Sequence, residues 1–361
     1  MIFDRKQQRL LLEGTIYTPE EIARLVAEGA ENHPSALWDL YLFLNEWFSD
    51  SPAMTVHTSG STGTPKELTV RKDQMMQSAR LTCEFLNLEK GQSALLCMNL
   101  RYIGAMMVVV RSLVAGLNLI VRPASGHPLS DISVPLRFAA MVPLQVYNTL
   151  HTLGEREQLK QTEILIIGGG AVDEALEAEI RSLPIAVYST YGMTETLSHI
   201  ALRRLNGNSA SDHYYPFSSV ELSLSPENTL VIKAPLVCDD ILQTNDIARI
   251  YPDGSFVIWG RKDNVINSGG IKIQAEEVEK SLRPFIPVPF VITSVPDPRL
   301  GQAVTLLFEG ELDMEELKNK VQKILSPYHR PKYIRMVDLI PQTGNGKINR
   351  IECRTLAEKL L

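Results

Sequence analysis

Apolar segments of strand length alternate with helix-length segments through the first two thirds of the chain. The stretch 163–180 (EILIIGGGAVDEALEAEI) has an apolar run, a glycine turn, and then a segment whose apolar residues share one helical face. A further apolar run, IAVYSTYGMTET, follows at 185–196. Parallel strands need crossover connections of this kind, so the alternation predicts a largely parallel sheet with ligand-binding loops at the carboxyl ends of its strands.

The longest apolar run, YIGAMMVVVRSLVAGLNLIV at 102–121, is interrupted by Arg111 and Gly116. A membrane span does not readily accept an arginine at its centre, so the run predicts a buried helix that ends near Gly116 and is followed by a strand. The first residues, MIFDRKQQRLLLEG, carry charges where a signal peptide needs an apolar core. We therefore expect a soluble protein without membrane insertion.

Charge and cysteine content narrow the possible functions. The net charge of −6 disfavours nucleic-acid binding, because no excess of basic residues is present to displace counterions from phosphates. The four cysteines, Cys83, Cys97, Cys238 and Cys353, are far apart and form no CxxC pair. This spacing disfavours structural zinc and a disulfide framework, and it favours reduced thiols in the cytoplasm.

The character of the sequence changes twice towards the C-terminus. After about residue 218 short strands and turns predominate, with a hairpin turn predicted at Pro252-Asp253-Gly254. After Gly260 a smaller pattern of helices and strands begins. The predicted fold class is α/β, with a large N-terminal domain of mainly parallel sheets, helices and a small strand-rich part at 1–260. A small, mobile α+β domain is predicted at 261–361, and the polar stretch GRKDNVINSGG is predicted to link the two.

A loop rich in glycine and hydroxyl groups, TSGSTGTPKEL, occupies 58–68. Such a loop lets the backbone approach a polyanion closely, and Lys66 adds a positive charge, so phosphate is the predicted ligand. The Walker A pattern is excluded because Pro65-Lys66-Glu67 stands where Gly-Lys-Ser/Thr is required. The alternative is a surface loop without a ligand.

Three other polar segments could carry chemistry. Glu195 is the only carboxylate in YSTYGMTET, and oxygen groups of this kind suit Mg²⁺ when phosphates supply the remaining ligands. Asp246 and Arg261 could each reach a ribose hydroxyl, and PQTGNGKINR at 341–350 places a lysine on a glycine turn. Read singly, each segment could instead be a capped loop or a solvated linker.

The triple glycine at 168–170 follows an apolar run, as in a dinucleotide-binding motif. The sixth position of that motif, however, is Asp173 rather than glycine. The alternative that this glycine turn packs against a flat adenine ring stays open.

Six motifs follow one another between about residues 55 and 350: TSGSTGTPK, YGMTET, TNDIARI, GRKDNVINSGGIKIQAEEVE, PDPRLGQAV and PQTGNGKINR. In this order they resemble the motifs of the adenylate-forming superfamily of acyl-CoA ligases. The resemblance implies an enzyme that uses ATP, Mg²⁺ and CoA to activate a small-molecule carboxylic acid. One motif could arise by chance, but six in the same order would not.

The resemblance also implies roles for individual residues. The phosphate loop would consist of Thr58, Ser59, Gly60, Ser61, Thr62 and Gly63, with Lys66 as its catalytic cation. The wall of the adenine pocket would include Gly168, Gly169, Gly170 and Tyr191, and Gly192 and Thr194 would also bind the nucleotide. Glu195 would bind magnesium, and Asp246 and Arg261 would bind the ribose. Asp263 would be the hinge between the domains. Gly269 and Gly270 would line the CoA tunnel, and Lys347 would act in adenylation.

The acyl substrate is expected near Tyr102, Ser198 and His199, with Arg101 a weaker candidate. Ser198 and His199 follow Glu195 by three and four residues, which places them beside the predicted magnesium site. For His199 the alternative is a core residue that only packs against the sheet.

Two features depart from the pattern of the superfamily. Asn245 stands where glycine usually precedes the ribose aspartate, and the phosphate loop begins roughly a hundred residues earlier than is typical. The particular acid stays open among those of the aryl- and acyl-CoA ligases. Two alternatives to a CoA ligase also stay open: a stand-alone adenylation enzyme that loads a carrier protein, and a nucleotide-binding module without catalysis. The intact Glu195, Asp246, Arg261 and Lys347 argue against the second.

Overall fold

The computed structural model describes residues 1–57, 67–343 and 348–361. These residues divide into two compact units. The first contains 1–57, 67–221 and 233–241, and the second contains 222–232, 242–343 and 348–361. The proposed domain boundary at residue 260 and the hinge at Asp263 stay predictions.

Ten α-helices occur in the described part of the chain. They are α1 (Pro19–Glu28), α2 (Ser35–Phe48), α3 (Lys72–Phe85), α4 (Ile103–Ala115), α5 (Pro143–His151), α6 (Leu153–Leu159), α7 (Glu174–Ile180), α8 (Ala275–Leu282), α9 (Met314–Ile324) and α10 (Arg350–Lys359). Within these described helices, none has both the length and the apolar character needed to cross a bilayer.

Twenty strands complete the regular structure of the described residues. They are β1 (Leu10–Leu12), β2 (Thr15–Tyr17), β3 (Ala53–His57), β4 (Glu67–Arg71), β5 (Ser93–Leu96), β6 (Asn118–Val121), β7 (Leu136–Met141), β8 (Thr162–Ile167), β9 (Ala186–Met193), β10 (Ser198–Arg204), β11 (Tyr215–Pro216), β12 (Glu221–Leu224), β13 (Thr229–Lys233), β14 (Ile241–Ile250), β15 (Phe256–Arg261), β16 (Val265–Ser268), β17 (Ile271–Gln274), β18 (Phe290–Asp297), β19 (Gly301–Glu309) and β20 (Tyr333–Val337).

The first unit is built around a nine-stranded sheet in the order β11-β10-β9-β8-β7-β5-β6-β1-β2. The six strands from β9 to β1 in that order pair in parallel, while β2, β10 and β11 join antiparallel at the two edges. Side chains of β5, β7, β8 and β9 form one core with α5, α6 and α7. The predicted α/β class with a largely parallel sheet is confirmed.

The helix ends follow from local sequence. Thr18 and Glu21 form a capping box at the start of α1, with Pro19 as its first residue. The predicted buried helix is α4, which ends where Gly116 adopts the left-handed conformation at φ 71°. Ten of its thirteen residues, including Arg111, are buried.

The second unit contains two sheets. The order β12-β13-β14-β15 forms a four-stranded sheet, in which β14 and β15 make the predicted hairpin around Pro252-Asp253-Gly254. A five-stranded sheet follows the order β17-β16-β19-β18, with β20 parallel to β19. Both faces of the paired strands β18 and β19 are covered: residues of α8 and α9 pack in one core and residues of α10 in another.

Two polar segments are more regular than their composition suggests. Most of YSTYGMTET continues strand β9 up to Met193, and only Thr194–Thr196 forms a short 3-10 turn. The segment predicted as a polar link contains the end of β15, a 3-10 turn at Lys262–Asn264, and β16. In both cases pairing with a neighbouring strand supplies the order that local polarity does not predict.

Candidate active site

The carboxyl ends of β8 and β9 bring two of the predicted motifs together. The two strands pair in parallel, so the glycines after β8 and the turn after β9 lie at the same edge of the sheet. Gly168 donates its N–H to the carbonyl oxygen of Met141 at 3.0 Å. A Cβ atom at Gly168 would lie 2.7 Å from Oγ1 of Thr190, so glycine permits this close approach. Gly169 has a φ of 79°, which favours glycine further.

Gly192 is required by the packing of β9 against β10. A Cβ atom there would lie 2.1 Å from the carbonyl oxygen of Ser198 and 2.5 Å from Cα of His199. The sequence indicated only a nucleotide-binding role for this glycine. The structure adds a geometric reason: glycine lets the backbone of Ser198 and His199, the predicted acyl-site residues, lie directly against β9.

Glu195 lies in the 3-10 turn Thr194–Thr196 and is half-buried. Oγ1 of Thr196 accepts the N–H of Met193 at 3.0 Å and lies 2.8 Å from the carbonyl oxygen of Ser198, which fixes the turn. Leu197, which ends the turn, is buried with a φ of 62°, an unusual conformation for leucine. The hydrogen bonds of Thr196 thus hold the turn in one backbone conformation, and this conformation costs free energy at Leu197.

The carboxylate of Glu195 has no ion-pair partner among the described residues. Nor does the described part of the chain group three His, Cys, Asp or Glu side chains that could hold a metal by themselves. A single half-buried carboxylate suits Mg²⁺ when ATP phosphates and water complete its oxygen ligands. Glu195 therefore fits the predicted role, with the phosphates as the other ligands.

A buried polar cluster lies beside this turn, where α4, α3 and β10 meet. Nη2 of Arg111 donates to Oγ of Ser198 at 2.8 Å. That oxygen lies 3.3 Å from Nδ1 of His199, whose Nε2 lies 3.0 Å from Oγ1 of Thr82. The Thr82 hydroxyl donates onward to the carbonyl oxygen of Ser78 at 3.2 Å. We call Arg111, Ser198, His199 and Thr82 the arginine cluster.

The hydrogen bonds of the arginine cluster define one consistent arrangement of protons. Ser198 accepts from Arg111 and donates to Nδ1 of His199, while Nε2–H of His199 donates to Thr82. This arrangement needs a neutral imidazole. Burial, and then the positive charge of Arg111, lower the pKa of His199 well below its ordinary value of 6.5. The cluster therefore holds one positive charge, on Arg111.

That charge has no counter-ion among the residues that the structure describes. Arg111 is 1% exposed, and no described carboxylate forms an ion pair with it. Its Nε is buried without a hydrogen-bond partner in the described ranges. Burial lowers the pKa of Arg111 to about 10, so the guanidinium is still charged at neutral pH. An unpaired buried charge costs several kcal/mol, unless a ligand supplies the opposite charge.

Arg111 was not predicted as a site residue. In the sequence it indicated only that the apolar run at 102–121 does not span a membrane. The available signal was a single charge within an otherwise apolar helix. Its partner Ser198 lies 87 positions away, so only the folded chain shows the pairing.

Tyr102 and Arg101 are not joined to the arginine cluster. Tyr102 precedes α4 and is 36% exposed, and its backbone carbonyl accepts the N–H groups of Ala105 and Met106. The side chain of Arg101 is exposed. No hydrogen bond or ring contact connects Tyr102 with Ser198 or His199, all of which are described. Its role as an acyl-site residue stays a prediction.

The predicted ribose pair lies in the second unit. Asp246 on β14 and Arg261 on β15 are opposite each other, and Nη1 of Arg261 donates to Oδ1 of Asp246 at 3.1 Å. Nη2 of Arg261 also donates to Asp263 at 3.0 Å. Asn245, the departure noted in the sequence, donates Nδ2 to both oxygens of Asp263 at 3.2 and 3.1 Å. The structure thus connects the ribose pair with the predicted hinge residue.

Gly269 and Gly270 form the two-residue turn of the hairpin β16–β17. Their φ values are 61° and 85°, which is the conformation of the tight turns that favour glycine. A Cβ atom at Gly269 would lie 3.3 Å from Leu300, whereas one at Gly270 would meet no described atom within 4 Å. The turn is therefore packed on one side and open on the other.

Eight predicted site residues lie outside the described residues. They are Thr58, Ser59, Gly60, Ser61, Thr62, Gly63, Lys66 and Lys347. Their predicted roles rest on the sequence alone.

Comparison with known proteins shows the class to which this fold belongs. The family model "AMP-binding enzyme" matches residues 15–229, and the model "AMP-binding enzyme C-terminal domain" matches residues 289–347. The chain belongs to the AMP-binding enzyme family. The resemblance to adenylate-forming acid–CoA ligases that the motifs indicated is confirmed.

Three individual relatives are similar to this chain over most of its length. The chain is 24% identical to the 2-succinylbenzoate–CoA ligase of Bacillus cytotoxicus, over 97% of this chain and 79% of that protein. A solved acyl-CoA synthetase (AMP-forming)/AMP-acid ligase II-like protein from Dyadobacter fermentans is 32% identical, with a TM-score of 0.62 over 91% of this chain and 97% of that one. The o-succinylbenzoate CoA synthetase of Bacillus subtilis, solved with its acyl-adenylate, has a TM-score of 0.71 at 20% identity over 84% of this chain and 69% of that one.

Proposed function

We propose that this protein is an AMP-forming acid–CoA ligase whose acid is o-succinylbenzoate, as in menaquinone biosynthesis. Family membership supports the reaction type, and the names of the relatives support the substrate. The compact YGMTETLSH segment also resembles that branch of the superfamily. The observation that carries the substrate assignment is the buried, uncompensated charge of Arg111.

o-Succinylbenzoate has two carboxylates, and only one of them reacts. The other needs a polar site in a pocket that otherwise accepts an aromatic ring. Arg111 offers an unused Nε–H and a positive charge, and Ser198 orients it from the neighbouring strand. A carboxylate at this position would remove the cost of the buried charge, which a monocarboxylic acid cannot do.

The first half-reaction activates the carboxylate. Its oxygen attacks the α-phosphorus of ATP, the bond from that phosphorus to the bridging oxygen breaks, and pyrophosphate leaves. Glu195 would hold Mg²⁺, which supplies positive charge to the phosphate oxygens when bound. Lys66, Lys347 and the hydroxyls of the 58–63 loop would donate to the same oxygens as their charge increases, and one such contact is typically worth about 3 kcal/mol.

The second half-reaction forms the thioester. The sulfur of CoA attacks the carbonyl carbon of the acyl-adenylate, the thiol loses its proton, and AMP leaves. We propose that residues 261–361 turn about Asp263 between the two half-reactions, because Lys347 and the Gly269-Gly270 turn serve different steps.

The proposed setting is the cytoplasm. Cys83, Cys97, Cys238 and Cys353 are all free, as expected in a reducing compartment. The proposed partners are the carboxylic acid, ATP and CoA, and neither nucleic acid nor membrane insertion has a part in the reaction. A carrier-protein-loading enzyme is the second candidate, and AMP release that depends on free CoA separates the two.

Two monocarboxylate analogues test the substrate assignment. 4-Oxo-4-phenylbutanoate and 2-butanoylbenzoate each lack one carboxylate of o-succinylbenzoate. For the wild type we expect the analogue that keeps the reacting carboxylate to lose about 10²-fold in kcat/KM, because Arg111 stays unpaired. In Arg111→Met, kcat/KM for o-succinylbenzoate should fall nearly to the value for that analogue.

The exposed Arg156, on α6 of the same unit, provides the matched control. Arg156→Met should keep the discrimination of the wild type. If Arg111→Met also keeps it, then Arg111 does not recognise the second carboxylate. If benzoate or a medium-chain fatty acid exceeds o-succinylbenzoate on the wild type, the substrate is wrong although the ligase reaction stands. The absence of CoA-dependent AMP release with any acid would contradict the reaction itself.

A further inference from the structure

A buried carboxylate organises the loop between β18 and β19. Asp297, at the end of β18, has a side chain that is 1% exposed. Its Oδ1 accepts the N–H groups of Arg299 at 2.9 Å and Leu300 at 3.0 Å. Its Oδ2 accepts from Nζ of Lys332, which lies just before β20. We call residues 297–301 the aspartate loop.

The aspartate loop packs directly on the glycine turn of β16–β17. The N–H of Gly269 donates to the carbonyl oxygen of Leu300 at 2.8 Å, and Ser268 pairs with Gly301 across the two strands. The Leu300 side chain would lie 3.3 Å from a Cβ atom at Gly269. A hydrogen bond and a strand pairing therefore transmit the position of the loop to the turn.

The ion pair between Asp297 and Lys332 is not needed to close the aspartate loop, so it constrains the loop further. Oδ1 of Asp297 alone satisfies the two N–H groups that close it. Lys332 binds the second oxygen, and its own N–H donates to the carbonyl oxygen of Val304 at 2.8 Å. Since β20 pairs with β19, this lysine connects the loop with a third strand. The hydrogen bond from Lys332 also holds the pKa of Asp297 below its usual value.

The open side of the Gly269-Gly270 turn indicates a function for the ion pair between Asp297 and Lys332. Nothing described lies within 4 Å of a Cβ atom at Gly270, so the surface beside it can admit an extended ligand. We propose that Asp297 and Lys332 are positioning residues for the CoA half-reaction: they hold the aspartate loop so that the Gly269-Gly270 turn presents this open side to the pantetheine arm. The inference rests on the proposed CoA ligase function.

The experiment measures the two half-reactions separately in the full-length protein. Asp297→Asn keeps an oxygen for the two backbone N–H groups but loses the charge that holds Lys332, and Lys332→Met removes the cation. For both variants we expect the KM for CoA to rise about tenfold, as misplacement of a binding element does. Carboxylate-dependent pyrophosphate exchange, which needs no CoA, should stay within about twofold of the wild type.

Two further variants separate positioning from general stability. Lys332→Arg keeps a cation and should restore most of the affinity for CoA. Lys318→Met removes an exposed lysine paired with Glu315 in the same unit, and it should change neither half-reaction. Equal losses of exchange and thioester formation in Asp297→Asn and Lys332→Met would overturn the proposal, as would a KM for CoA unchanged in both. If the wild type shows exchange but no CoA-dependent AMP release, the proposed ligase function fails instead.

Discussion

At the scale of single residues, the site depends on charges whose partners are distant in the sequence. The sequence predicted Ser198 and His199 because both follow Glu195 closely. It could not predict that α4 would place Arg111 against them, because a contact over 87 positions is set by tertiary packing. The pairing of Asn245 with Asp263 escaped prediction for the same reason. Local motifs thus indicated the chemistry, while long-range contacts determine its electrostatics.

The neutral state of His199 has a consequence for stability. Its pKa is lowered in the folded protein by burial and by Arg111, whereas the unfolded chain titrates near its ordinary value. Below pH 6.5 the unfolded chain therefore binds more protons, and the free energy of unfolding falls as the pH falls, by up to about 1.4 kcal/mol per pH unit.

Urea unfolding at pH 7.5, 6.0 and 5.0 checks this prediction. The wild type should lose more free energy of unfolding with decreasing pH than His199→Gln, which has no group to protonate at that position. The exposed His151, in the same unit, is the control, and His151→Gln should follow the wild type. Parallel curves for wild type and His199→Gln would show that His199 accepts a proton in the folded state.

At the scale of helices and strands, prediction from the sequence was most successful where the signal is local. The cap at Thr18 and the glycine at 116 set helix ends through their own backbone geometry. The sequence predicted an apolar run at 185–196, with a capped loop as the alternative for its polar part, and the structure continues β9 to Met193. Pairing with β10 decides this case, and the sequence of the segment does not contain that information.

The start of α10 is also fixed by contacts that the sequence does not show. Arg350 makes a two-fold hydrogen bond to Glu279 on α8, at 2.8 and 2.7 Å, and donates to the carbonyl oxygen of Ile292 at 3.1 Å. Gln342 pairs with Ile348 on either side of the segment that carries Lys347. The flank after that segment is therefore anchored to the rest of the second unit, and the flank before it is paired with the flank after it.

This anchoring predicts a selective effect on adenylation. Arg350→Lys keeps the charge but cannot make the two-fold bond to Glu279, so the flank should shift. For Arg350→Lys we expect pyrophosphate exchange to fall about tenfold, while thioester formation from a supplied acyl-adenylate changes little. For Lys347→Ala we expect the same selectivity with a larger loss of exchange. Arg354→Lys, whose exposed pair with Glu358 lies on the same helix, is the control. Equal losses in both half-reactions would make Arg350 and Lys347 structural residues.

At the scale of the whole molecule, the proposed reaction needs movement as well as a site. Asp263 lies in the 3-10 turn Lys262–Asn264, and its carboxylate accepts hydrogen bonds from Asn245 and Arg261. A turn about this residue would change its backbone angles. The departure at Asn245 thus adds a contact to the predicted hinge.

Asp263→Pro tests the movement, because proline fixes φ and so opposes a change of backbone angles. We expect pyrophosphate exchange to survive while thioester formation from CoA falls. Proline also removes the carboxylate, so Asp263→Ala is needed as the control. That variant loses the bonds to Asn245 and Arg261 but keeps a free backbone, and it should retain both half-reactions. Full thioester turnover in Asp263→Pro would mean that the chain turns at another position, whereas equal defects in the proline and alanine variants would assign the effect to the carboxylate.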